Sequence, residues 1–218
     1  MGMVDIVHSP VGAGEATPKK QLLAEGVFRL VGERIVSGEL PPGARIRDAE
    51  LASELAISRT PVREALQRLE RIGMVTMYPS RYTEVTVLTP EQIEHARQFA
   101  GLQAGFTVRL ACAQLTAEDV AEASRLLARV AATVDDSAAC SLARTELIAF
   151  LGERCENPLQ HMLVAEAAPA LRRALQGFII TPEHRPRLIE ACDAMERALR
   201  AGDADAAELA CRAIYDLA

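Results

Sequence analysis

Arg59, Arg63 and Gln67 stand four residues apart within AELASELAISRTPVREALQRLERIGMV, residues 49–75. On a helix that spacing lines them along one face, while Val62, Ala65, Leu66 and Leu69 fall on the other. Two guanidinium forks and a carboxamide in a row suit DNA base edges. Arginine forks onto guanine O6 and N7, and glutamine pairs with adenine N6 and N7. Ser58, Thr60 and the unpaired N–H groups of the helix start can hold phosphate. Arg45 and Arg47 flank the preceding helix and are placed for the phosphate backbone. Arg81 sits where a hairpin tip is expected, within reach of a minor groove or a phosphate. The rival reading is a solvated face whose arginines pair with Glu64 and Glu70. The coincidence of turn, helix lengths and hairpin favours DNA.

These groups need positioning elements, and the spacing supplies them. Leu22, Leu23, Val27, Leu30, Val31 and Ile35 recur at helical intervals, predicting a first helix over about 20–37. Gly38 ends it and Pro41-Pro42-Gly43 turns the chain into a short extended piece, residues 44–47. Asp48 is expected to cap a second helix over 49–55. After the Ala56-Ile57 turn, Ser58 or Thr60 should cap the reading helix, whose first turn tolerates Pro61, and Gly73 should stop it. Residues 74–78 and 83–87 read as two strands joined by Pro79-Ser80-Arg81-Tyr82. From Thr89 onward only helices are expected, over about 90–113, 116–133, 137–154, 158–177, 183–201 and 203–217. Thr89, Pro90 and Gln92 form a capping-box start for the first of them. The fold class is therefore mainly α: an N-terminal winged helix-turn-helix with a small β-hairpin, then an all-α six-helix bundle. The expected division is a mobile tail over 1–17, a reading domain over 18–88 and a helical domain over 89–218.

Composition bounds the function. Half of the 218 residues are hydrophobic, and aromatics make up only 4%. No apolar run approaches the roughly 20 residues of a membrane span, and the first residues lack an apolar signal core, so a cytoplasmic protein is expected. The five cysteines are widely spaced with no CxxC pair, which favours reduced core thiols over zinc or disulfides. The net charge of −6 is unevenly spread. Residues 18–88 carry 11 Lys+Arg against 9 Asp+Glu, while residues 89–218 carry 13 against 19. So small a basic excess means that DNA affinity must come from placement. There is no phosphate loop, GxSxG or HExxH, which argues against an enzyme, and no cofactor is expected.

SRTPVREALQRLERIGMV, preceded by GELPPGARI, closely resembles the winged helix of GntR-family transcription regulators. The helical remainder is similar to the FCD effector domain of the FadR subfamily, and six helices suggest its VanR-like branch. The resemblance implies a homodimer on a palindromic double-stranded DNA operator, expected to repress and to respond to a small metabolite. It places Ser58, Arg59, Thr60 and Arg63 on DNA, with Pro61, Tyr82 and Thr83 completing the expected contact set. Tyr82 replaces the glycine that usually follows the basic wing residue, and Ala49 replaces a basic residue before the second helix.

The resemblance also implies a divalent metal held by one Asp and three His in the helical domain. Carried over by its anchors, that set falls on Leu147, Leu151, Cys192 and Ile214, with Ala104 in place of an acidic residue. None is a suitable oxygen or imidazole ligand, so no metal is expected. Two readings of the apolar pocket stand: a cavity for an apolar effector, or side chains packed together in an effector-independent DNA-binding dimer. Cys192 as a redox or electrophile sensor is a further option. His8 in the tail, His95, and His161 and His184 in or near loops read as surface residues.

Overall fold

The computed structural model describes residues 18–79 and 81–217; the expected tail and Ser80 of the hairpin turn lie outside the described residues. Helix α1 (Pro18–Val36) buries Val27, Phe28, Val31 and Ile35. Strand β1 (Arg45–Ile46) leads into α2 (Asp48–Glu54), and α3 (Arg59–Arg71) follows a turn in which Ala56 takes φ 51°. Asp48 does not cap α2. Arg47 holds the cap position without a side-chain hydrogen bond, because the Asp48 carboxylate is engaged elsewhere. Ser58 caps α3 by position only, again with no side-chain hydrogen bond. At its other end Gly73, at φ 73°, gives α3 a paired left-handed stop: Gly73 N donates to Glu70 O and Met74 N to Leu69 O, both at 2.9 Å.

Strands β2 (Val75–Tyr78) and β3 (Tyr82–Val85) form the expected hairpin, with Met77 opposite Thr83 and Tyr78 opposite Tyr82. The short extended piece joins it as a third strand, giving the order β1-β3-β2 and covering an edge of β3. The apolar face of α3 meets α1, Leu51, Met74, Val75 and Val85 in one core, where Val31, Val62, Ala65, Leu66 and Leu69 are fully buried.

Six helices follow: α4 (Pro90–Cys112), α5 (Ala117–Ala132), α6 (Ser137–Gly152), α7 (Pro158–Gln176), α8 (Arg185–Ala201) and α9 (Ala204–Ile214). Most of these helices begin on a local cap. Thr89 with Gln92 and Thr116 with Asp119 make reciprocal capping boxes, while Asp136, Asn157 and Asp203 cap through their side chains. α8 starts two residues later than its spacing suggests, because His184 N donates to Thr181 O at 3.0 Å and closes a turn first. α4 lies close along α9: a Cβ at Gly101 would meet the Tyr215 Cβ at 2.7 Å, so only glycine permits the approach. A second core, separate from the first, holds Ala104, Val108, Leu127, Leu147, Leu151, Met195 and Ile214.

α7 is the element that touches both regions. Its inner face packs on α4 and α6, and Pro169 faces Gly32 of α1. Glu166 accepts from Arg68 of α3, Nε at 3.1 Å and Nη2 at 2.5 Å. Arg68 also donates to Glu25 at 2.7 Å and lies 4.1 Å from the Phe28 ring centre. Arg172 pairs with Glu33 of α1. Arg173 is buried and donates to Thr86 Oγ1 at 2.8 Å, to Met74 O at 3.2 Å and to Thr86 O.

Candidate functional site

At the start of α3, Arg59 and Arg63 project into solvent, with side chains 61% and 60% exposed. Their partner is neither Glu64 nor Glu70. Arg59 Nη2 donates to both oxygens of Asp48, at 2.8 and 2.9 Å, and Arg63 Nε lies 3.8 Å from Asp48 Oδ2. Glu70 instead accepts the Met77 N–H at 2.7 Å and ties α3 to the wing. An exposed ion pair contributes about 0–1 kcal/mol, so Asp48 holds the two guanidinium groups in place without committing them. A phosphate or a base edge can take them over. Gln67, Ser58 and Thr60 are exposed beside them.

Arg59, Arg63 and Gln67 form one wall of a groove whose opposite wall is the wing, with Tyr78, Arg81 and Tyr82. Arg81 is exposed at the tip, its N–H closing the turn onto Tyr78 O at 3.1 Å. Tyr82, standing where the resembling family has glycine, stacks instead of leaving space. Its ring lies 5.0 Å from that of Tyr78, and the Arg45 guanidinium carbon is 4.2 Å from its centre. Arg45 is thereby fixed along the wing, while Arg47 pairs with Glu50 at 2.8 Å. Two residues of the expected contact set are buried. Pro61 is buried against the core under the first turn of α3. Thr83 is 5% exposed because β1 and β2 flank it on both sides. Thr83 nonetheless borders the groove between α3 and the wing.

In the bundle, the positions carried over from the metal set do not form an open pocket. Leu147, Leu151, Cys192 and Ile214 are each at most 3% exposed and pack against one another's neighbours in the core. Two leucines, an isoleucine and a lone thiol supply no metal-ligand set, so the chemistry of these positions does not fit the metal. A cavity of about 300 Å³ lies on the other side of α6, between α4, α6 and α7. Ala104 lines it, alone among the five expected pocket residues; its walls include Ile148, Val164, Leu171 and Tyr215. Leu147 and Leu151 face one way on α6, and Ile148 and Gly152 the other, so α7 rather than α8 and α9 closes the space.

Polar groups cluster at one end of this cavity. Gln160 donates to Thr107 Oγ1 and accepts from Cys155 Sγ at 2.6 Å. His161 is exposed in the first turn of α7 rather than in a loop, and it lines the rim. Its Nε2 is 2.5 Å from Gly152 O, and because a carbonyl only accepts, Nε2 carries the proton. His95 and His184 lie at surface pairs with Glu91 and Asp216; His8 is outside the described residues. All five cysteines are unbridged and buried. Burial pushes the Cys192 thiol up to about 12, which removes the thiolate that sensing needs. Sequence reasoning missed the buried arginines, Arg97, Arg144 and Arg173; each sits in an ordinary helical pattern that carries no signal of its burial.

Comparisons with known proteins follow this division. The family of bacterial regulatory proteins described as gntR matches residues 23–85, and the FCD domain matches residues 104–217. The Nta operon transcriptional regulator of Aminobacter aminovorans is 36% identical over 86 residues, covering 39% of this chain and 41% of the relative. The HTH-type transcriptional regulator McbR of Escherichia coli K12 is 34% identical over 93 residues, covering 43% and 42%. The matched stretch thus spans about two fifths of the length of these curated relatives. The solved structure of E. coli McbR/YncC superposes with a TM-score of 0.64 at 24% identity, covering 89% of this chain and 93% of that one. A putative GntR regulator from Rhodococcus sp. RHA1 gives 0.60 at 22% identity, covering 88% and 93%. At such identities the structures establish a common fold.

Proposed function

We propose, because this chain belongs to the GntR family of bacterial regulatory proteins and carries an FCD domain, that it is a DNA-binding transcription regulator acting as a homodimer on a palindromic operator. One observation carries the reading: Arg59, Arg63 and Gln67 stand exposed along α3, opposite a basic-tipped wing, with the two arginines held by a single carboxylate. Ser58, Thr60, Arg45, Arg47 and Arg81 border that stripe and serve the phosphates, while Arg59, Arg63 and Gln67 read bases.

Dimerisation is assigned to the helical domain. Phe99, Leu102 and Phe106 form one exposed apolar stripe on α4, 53%, 51% and 42% exposed. A stripe of that kind on a globular surface favours a protein contact, and a two-fold pair would space two reading helices along the operator. Residues 18–88 are taken as the reading domain and 89–218 as the dimerising and effector-binding domain. Six helices after the wing support the VanR-like branch. Among the described residues no helix is long and apolar enough to cross a membrane, and the proposed work on DNA places the protein in the cytoplasm.

A small effector without metal is favoured over a sealed, effector-independent bundle, because a cavity within the size range of ligand sites lies between α4, α6 and α7. α7 carries that cavity's wall and also reaches the reading head, through Glu166 and Arg173 and through Arg172, which lines the cavity and pairs with Glu33 of α1. An occupant that shifts α7 would move α1 and α3 with it, a coupling that typically amounts to about 1–3 kcal/mol. The test is selection of bound fragments from genomic DNA followed by anisotropy titration. A two-fold symmetric site bound by a dimer is expected; uniform, wholly salt-driven binding to every sequence would refute specific regulation.

A further inference from the structure

Among the described residues three arginines are buried, and two of them serve the bundle itself. Arg97 donates to Glu94 and to the backbone carbonyls of Tyr215 and Asp216, and Arg144 reaches Ile214 O at 3.4 Å. Arg173 crosses from α7 to the reading head. Its Nη1 donates to Met74 O at 3.2 Å and to Thr86 Oγ1 at 2.8 Å, and its Nη2 donates to Thr86 O. Met74 directly follows the Gly73 stop of α3, and Thr86 directly follows β3. These two residues are also bonded to each other: Thr86 N donates to Met74 O at 3.1 Å, while Thr86 Oγ1 donates to Gly73 O at 2.7 Å. One guanidinium therefore grips the root of the wing, both where the chain leaves α3 and where it returns from β3.

The covalent connection does little to fix the head. Residues 86–89 join β3 to α4 without regular structure, and among the described residues Val87 and Leu88 make no backbone hydrogen bond. Orientation therefore falls to α7. Glu166 holds Arg68 of α3, Arg172 pairs with Glu33 of α1, and Arg173 takes the wing root. The three contacts lie along about two turns of one helix and reach three different elements of the head. A single contact would leave a pivot; three on separate elements leave none. They are not equal in weight. The Arg68–Glu166 and Arg172–Glu33 pairs are partly exposed, and such pairs contribute little. Arg173 is buried with neutral acceptors only. A small rotation of the head that stretched those bonds before water could enter would strand a charge in the interior. Arg173 is accordingly the stiff point of the joint, and the two ion pairs steady it.

On DNA a stiff joint makes spacing matter. Adding one base pair between two half-sites carries the second groove about 3.4 Å along the duplex and about 35° around it. A head free to pivot follows such a change, whereas a head fixed to its bundle, and through the bundle to a second copy, does not. We infer that Arg173 is a positioning residue for operator recognition: by locking the wing root to α7, it sets the half-site separation that the dimer accepts. This rests on the homodimeric regulator proposed above and adds to it where spacing specificity resides. Arg173, being buried, contacts no base.

The test uses the full chain and a duplex library in which a selected half-site faces its inverted copy across separations covering about one helical turn. The unaltered protein should favour one separation at least about tenfold over those one base pair away. Arg173→Met keeps an apolar stem and removes the donors. It should bring the neighbouring separations to within about threefold of the best, while affinity for an isolated half-site changes by less than about twofold. Arg173→Lys keeps the charge without the fork and should restore the selectivity only in part. A merely structural role would instead lower Tm and weaken every separation equally. Should Arg173→Met not fold, Glu166→Gln combined with Arg172→Gln loosens the same joint at partly exposed positions and should broaden the profile in the same direction. A spacing profile left unchanged by these variants, a loss uniform across separations, or an unaltered protein that accepts neighbouring separations equally would each overturn the inference. Absence of any two-fold site sinks the regulator together with this assignment, whereas a two-fold site whose separation the variants leave unchanged sinks the role of Arg173 alone.

Discussion

The reading head and the bundle use arginine in opposite ways. Arg59 and Arg63 are exposed and share one carboxylate at the surface. Arg144 is sealed in the core with two donors unanswered. Water screens the first pair, so exchanging Asp48 for a phosphate or a base costs little. The buried group has no such freedom, because no water screens it and an unpaired charge in the core is costly. The head's arginines are thus free to change partners, whereas the bundle's arginine is not. Between them runs α7, which holds the head through Arg68–Glu166, Arg172–Glu33 and the Arg173–Thr86 contacts.

The comparison can be broken most severely in the bundle core. Leu147→Ala and Leu151→Ala should each destabilise the protein by about 2–5 kcal/mol in denaturant unfolding, because both side chains are fully packed. A loss below 1 kcal/mol would mean that they line an open pocket after all. In the head the effect should fall on binding and not on folding. Arg59→Ala and Arg63→Ala should each weaken specific operator binding by about 1–3 kcal/mol, with Tm nearly unchanged, as anisotropy and thermal melts would record; intact operator affinity in both would remove the assigned stripe.

Smaller changes sharpen the picture at the wing and at the clasp. Tyr82→Gly removes the stack with Arg45, worth about 0.5–1 kcal/mol, and should loosen operator binding slightly as Arg45 loses its fixed position. Tighter binding by the glycine variant would show that the tyrosine obstructs the wing. Least of all, Arg68 holds the Glu25 carboxyl below its usual value of 4.5. A depressed folded-state value stabilises fully above the unfolded one, so this contribution is present above about pH 4.5 and fades as the pH falls below it. Melting curves from pH 6 to pH 3 should therefore decline less steeply in Glu25→Gln; parallel curves would dissociate Glu25 from the clasp.

Much of this was legible from one sequence. The Thr89–Gln92 capping box, the Gly73 stop and the alternation of Val62, Ala65, Leu66 and Leu69 with exposed positions are local signals, and each acts in the structure as read. Asp48 was misread as a cap, since nothing local says that Arg59, eleven residues on, will claim its carboxylate. The burial of Thr83 and Pro61 was not legible, because membership of a contact-bearing segment does not tell which face is turned inward. His161 was placed near a loop although the Asn157 cap starts α7 before it.

The sequence by itself determined the order of the helices, the exposed stripe of α3 and the loss of metal-ligand chemistry at Leu147, Leu151, Cys192 and Ile214. Those depend on side-chain type and on a period of 3.6 residues, both of which are local. Only the tertiary structure decided which side of α6 holds the cavity and which arginine is left without a partner. Both faces of α6 are apolar, Leu147 and Leu151 on one, Ile148 and Ala149 on the other. The choice between them belongs to the packing of α7, whose contacts join residues too far apart in the chain for any local pattern to encode.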